Sequence, residues 1–72
     1  MSDYISKGAI KVIEVIGVSD ESWEDAAAQA VKKASESVKG ITGIEVTAHT
    51  ARVTDGKITQ YNATLKLAFV VA

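Results

Sequence analysis

The segment Thr54-Asp55-Gly56-Lys57 lies between two stretches that alternate apolar and polar residues, and it restricts the fold more than any other part of the chain. Asp-Gly is the pair favoured in a two-residue type I′ turn, whose central positions both need φ > 0. The turn therefore joins two antiparallel strands, expected over Ile44–Thr54 and Lys57–Val71. Counting back from Thr54 opposite Lys57 pairs Ala48 with Ala63, Val46 with Leu65 and Ile44 with Leu67, an apolar face. The other face receives Glu45 with Lys66, Thr47 with Thr64 and His49 with Asn62, and a slip of one residue would exchange the two sets.

Upstream, Ala9–Val18 reads AIKVIEVIGV and has the composition of a strand. Ile13 and Val15 fall on one side and Val12, Glu14 and Ile16 on the other. Both sides are mainly apolar, which a sheet with one solvated face does not need. The second face is expected to be buried by another subunit.

Between this strand and the hairpin, Ser22 has the character of a helix N-cap. Asp25 stands three residues later, and Asp20, Glu21 and Glu24 sit near the positive end of the helix dipole. The helix is expected to run to about Val38, with Lys32, Lys33 and Lys39 toward its end and Gly40 as the C′ residue. Trp23, Ala26, Ala27, Ala30, Val31, Ala34 and Val38 form its apolar stripe. The order is β-α-β-β: an α+β fold with a three-stranded antiparallel sheet curled round one helix. Residues 1–8 are unpatterned and are read as a loose arm, and 9–72 as a single domain.

With 72 residues and no cysteine, the chain has little core to set against its conformational entropy and no disulfide to help. Self-association is the remaining means of stabilisation. A formal net charge of −1 without a basic run argues against nucleic acid. No apolar stretch is long enough to span a bilayer, and no secretory signal is visible, so a cytosolic location is expected.

Catalytic chemistry finds few candidates. His49 is the only histidine, and on the polar face it reads as a surface or interface residue rather than a general base. Glu45 is assigned to an ion pair with Lys66. The acidic group Asp20, Glu21, Glu24 and Asp25 is a possible cation ligand set, but it lacks EF-hand spacing, and helix capping accounts for the same residues. No metal ligands are assigned.

Ile13-Glu14-Val15-Ile16-Gly17, Ser22-Trp23-Glu24-Asp25-Ala26-Ala27, and Asp55-Gly56-Lys57-Ile58 with Tyr61, Lys66 and Phe69 together resemble the dodecin family across nearly the whole chain. The resemblance implies a hollow homododecamer built from trimers. Its ligands would be flavins such as riboflavin or FMN, stored and buffered rather than transformed. Flavin-binding dodecins carry a stacking Trp just before the aromatic-Glu-Val that opens strand two; here that position is Gly43, followed by Ile44, Glu45 and Val46. They also carry a Gln after the strand-three aromatic, where this chain has Asn62 after Tyr61. The resemblance thus implies Asn62, Gly43 and Glu45 as cofactor-binding positions, with weakened flavin binding. Some dodecin-like proteins without the Trp have been described as calcium-binding or of unknown ligand, and this chain resembles that subgroup at Gly43. A calcium- or other cation-binding shell, or a structural assembly without flavin, is therefore the alternative.

Overall fold

The computed structural model describes residues 7–71, so most of the expected loose arm at 1–8 lies outside the described residues. Strand β1 covers Ala9–Ser19, helix α1 Trp23–Ala34, strand β2 Ile41–Thr54 and strand β3 Lys57–Val71. The sheet order is β1-β3-β2, antiparallel throughout, with β3 central and α1 lying against β1 and β3. The expected β-α-β-β architecture is the observed one.

The hairpin turn forms as its residues require: Asp55 has φ 52° and Gly56 φ 75°. Ser22 caps the helix, its hydroxyl oxygen accepting from the Asp25 backbone N–H at 2.9 Å. The helix ends earlier than its apolar stripe predicts, at Ala34 rather than Val38. Bonds from Glu36 N to Lys33 O and Ser37 N to Ala34 O tighten the chain after it, and Val38 N still reaches Ala34 O. Ser35 and Ser37 in this stretch have low helix propensity. Gly40 accordingly sits beyond the helix, with φ 78°, where the chain turns into β2.

The hairpin register follows simple counting only in part. Thr54 faces Lys57 and Val53 faces Ile58, but Arg52 faces Gln60, so Thr59 is an extra residue on β3. From there to Ala48 opposite Thr64 the pairing is displaced by one. Thr47 is then an extra residue on β2, which restores Val46 opposite Leu65 and Glu45 opposite Lys66. Both are β-bulges. The Thr47 hydroxyl donates to Thr64 O at 3.2 Å, and that of Thr59 donates to Arg52 O at 3.4 Å. The expected pairs Ala48–Ala63, Thr47–Thr64 and His49–Asn62 are therefore replaced: Ala48 faces Thr64 and His49 faces Ala63. His49 is on the helix side, not the polar face.

The core is small. Ala26, Ala30, Ala63, Leu65 and Leu67 are buried, with Ile13, Val15, Ala27, Val31, Ala34 and Ile41 packed partly against them. Gly17 allows this closeness: a Cβ at that position would lie 1.9 Å from Ala26 O. Nine large aliphatic side chains remain exposed, more than the two leucines that are fully buried. A lone subunit with that imbalance lacks the apolar burial that stabilises small domains.

Candidate ligand site on the open sheet face

The face of the sheet turned away from α1, here the open face, carries Asn62, Thr64, Lys66, Ala68 and Val70 along β3. Register sets Glu14 of β1 and Glu45 of β2 on either side of Lys66, and Val12 and Gly43 on either side of Ala68. These two neighbouring rows form a shallow groove of about 470 Å³ lined by Val12, Gly43, Ile44, Glu45, Lys66 and Ala68. A Cβ on Gly43 would meet nothing within 4 Å. One wall is thus empty where a larger side chain would stand.

Glu45 and Lys66 are cross-strand neighbours as expected, but they do not close into an ion pair. Among the described residues the one pair within 4.0 Å is Lys33–Glu36, exposed on the helix at 3.7 Å. A carboxylate and an ammonium group therefore remain available to a ligand whose apolar part rests on Val12 and Ala68. This combination of an apolar floor with a few polar groups is typical of small-molecule sites.

The three expected site residues are only partly brought together. Gly43 and Glu45 line the groove. Asn62 shares the open face but lies in the row Val18–Asn62–Thr50, six residues along β3 from Ala68 and so about 20 Å away. Its side-chain carbonyl accepts from Gln60 Nε2 at 3.1 Å. Within one subunit it does not reach the groove.

At the helix start Ser22 is the cap, and Glu24 and Asp25 stand in the first turn. The Ser19 hydroxyl donates to Asp25 Oδ2 at 2.6 Å and accepts from the Glu21 backbone N–H at 2.9 Å. No group of three or more His, Asp or Glu positioned to hold a metal ion occurs among the described residues. None of their helices is long and apolar enough to cross a membrane.

Trp23 departs from its expected place in the core stripe. It is half-buried at the first turn of α1 and reaches across to β2, where Nε1 donates to Thr50 O at 2.8 Å. Tyr61 meets its ring edge-on at a centroid distance of 4.8 Å, and His49 lies tilted at 5.7 Å. The bulge at Thr47 brings His49 into this cluster, so alternation alone gave no sign of it. Trp23→Phe retains the aromatic packing but loses the indole hydrogen bond. It is expected to cost about 0.5–1.5 kcal/mol, read as a lowered midpoint in denaturant unfolding.

The family model for dodecin matches residues 9–72. Calcium dodecin from Mycobacterium tuberculosis is 45% identical over 60 residues, covering 82% of this chain and 83% of that protein. The solved dodecin of Streptomyces coelicolor superposes with a TM-score of 0.91 at 29% identity, covering 94% of this chain and 97% of the other. The crystal structure of the M. tuberculosis calcium dodecin, described as a calcium-chelating antigen with a novel calcium-binding site, aligns with a TM-score of 0.78 at 39% identity, covering 90% and 93%. A family match over nearly the whole chain, joined to this β-α-β-β topology, places the chain in the dodecin family.

Proposed function

We propose that the chain is the subunit of a non-enzymatic, cytosolic homododecamer, assembled from trimers, that binds and stores a small ligand on the open face of its sheet. The ligand class is flavin, riboflavin or FMN. The observation that carries the assembly is the open face of β1, where Val12 and Ile16 are 52% and 63% exposed and are flanked by the comparably exposed Ile10 and Val18. Burying such a row between subunits removes apolar surface from water at about 25 cal/mol per Å².

The groove at Gly43, Glu45 and Lys66 borders this row, so a planar ring bound there would lie against the assembly interface. Glu45 and Lys66 supply an acceptor and a donor for the ring edge. Asn62 takes part only if it comes from a second subunit, given its distance from Gly43 along the strand.

Titration of riboflavin into the purified protein, with flavin fluorescence and native mass recorded on the same sample, tests the reading. Saturable quenching on a dodecamer is the expected result. A stable monomer or dimer at micromolar concentration would overturn the assembly, and an intact dodecamer without quenching would overturn the flavin. Val12→Asp is expected to dissociate the shell, because it places an unpaired charge in a buried contact. An unchanged native mass in that variant would show that this row is not the contact.

Calcium is a second reading, favoured by the 45% identity to a calcium dodecin. It rests on carboxylates such as Glu14 and Glu45 being gathered from several subunits, since one chain does not cluster them. Thermal stabilisation by Ca²⁺ in a preparation that does not quench riboflavin would select it.

A further inference from the structure

The groove at Gly43 borders more negative than positive charge. On the open face Lys66 stands between Glu14 of β1 and Glu45 of β2, two carboxylates to one ammonium group. All three side chains are exposed. Among the described residues neither carboxylate comes within 4.0 Å of a basic group, so the row is not closed into ion pairs. Lys66 is the one cation among the described residues that line the groove.

The other cations near this end of the sheet stand elsewhere. Lys11 lies in the row of Phe69, on the helix side. Lys7 and Lys39 precede β1 and β2 and stand outside the strands. Arg52 shares the open face but pairs with Gln60, seven residues along β2 from Glu45 and about 20 Å away. That is beyond the screening length, about 10 Å at 0.1 M salt. The row therefore keeps one uncompensated carboxylate, and Glu14 decides the sign, since Glu45 and Lys66 alone would balance.

Riboflavin and FMN have the same ring and differ at the end of the ribityl chain, a hydroxyl in one and a phosphate in the other. The phosphate carries about −1.5 to −2 charges at neutral pH. With the ring on the floor of the groove, the short ribityl chain keeps the phosphate within about one screening length of the row. A doubly charged group about 10 Å from one uncompensated carboxylate is disfavoured about fourfold at the dielectric of water, and more than about tenfold at half that value.

We infer that the groove discriminates against phosphorylated flavin, so that the ligand it takes is riboflavin, the uncharged member of the class, rather than FMN. The inference rests on the flavin reading and narrows it. It assigns to Glu14 the part of a specificity residue, acting on the phosphate through charge.

The test is the ratio of riboflavin to FMN affinity, from quenching titrations of both at low salt with native mass recorded on each sample. Loss of a contact to the shared ring cancels in this ratio, so it reports the phosphate alone. Riboflavin is expected to bind at least about fourfold tighter, with the difference shrinking at high salt. Glu14→Gln should bring the ratio toward one, Glu14→Lys should invert it, and Lys66→Gln should widen it. Equal affinities, or tighter FMN, in the unaltered protein would overturn the inference while leaving the flavin reading standing. So would an unchanged ratio in Glu14→Gln on an intact dodecamer; this isosteric variant decides the matter if Glu14→Lys does not assemble. An intact dodecamer that binds neither flavin would overturn the flavin reading and the inference together.

Discussion

Gly17→Ala is expected to unfold the subunit or lower its melting temperature by more than 10 °C. The added methyl group would stand 1.9 Å from Ala26 O and 2.8 Å from both Ala26 C and Ala30 Cβ. Two of these neighbours are helix backbone, so no side-chain rotation relieves the overlap. The helix has to lift off β1, and lifting it separates Ala26 and Ala30 from Ala63, Leu65 and Leu67, the rest of the buried cluster. Overpacking of this kind costs about 1–3 kcal/mol, and more where backbone is involved. In a domain of this size about 1 kcal/mol corresponds to roughly 4–8 °C. Gly43→Ala is the matched control, because the same methyl group there meets open space. Thermal unfolding of the two variants side by side should show a large loss for the first and little change for the second.

Gly43→Trp is expected to tighten riboflavin binding by about tenfold to a hundredfold. Stacking of a planar base on an aromatic side chain is worth about 1–3 kcal/mol, and each 1.4 kcal/mol is a factor of ten in affinity. The backbone accepts the change: Gly43 is not among the positive-φ glycines, and its Cβ direction is free. The indole would stand at the wall of the groove beside Glu45 and across from Ala68, the position implied by the family resemblance for the stacking residue. Fluorescence quenching isotherms for the two proteins measure the ratio directly. Equal isotherms on intact dodecamers would show that the ring does not lie at Gly43.

Much of this architecture was legible in the residues because local chemistry and the global fold agree. Asp55-Gly56 admits one turn, Ser22 with Asp25 marks one helix start, and the two apolar sides of β1 call for a partner on each. Counting from the turn still pairs Glu45 with Lys66, although five rows between are displaced, since the extra residues Thr59 and Thr47 stand on opposite strands and cancel. What alternation does not carry is the position of a bulge. Threonine suits either face of a strand, so nothing at 47 or 59 announces the change, and alternation alone puts His49 on the opposite side from the one it occupies. The aromatic cluster at Trp23 depends on that same shift. Alternation puts Asn62 on the same face as Gly43 but does not carry their separation, and a strand separates residues by length as firmly as by side.

The cancelling bulges also make the hairpin modular. On β2 the core-side positions are the even-numbered Ile44 and Val46 and the odd-numbered His49, Ala51 and Val53, yet the Glu14–Lys66–Glu45 row keeps the register set by the turn. The end of the hairpin is consequently a cassette. Lengthening it by a matched pair of residues, or exchanging its tip for another, leaves the register of the groove at Gly43, Glu45 and Lys66 undisturbed. The far end of the hairpin and the groove at Gly43 lie on one pair of strands, yet the residues of each can vary without moving the other.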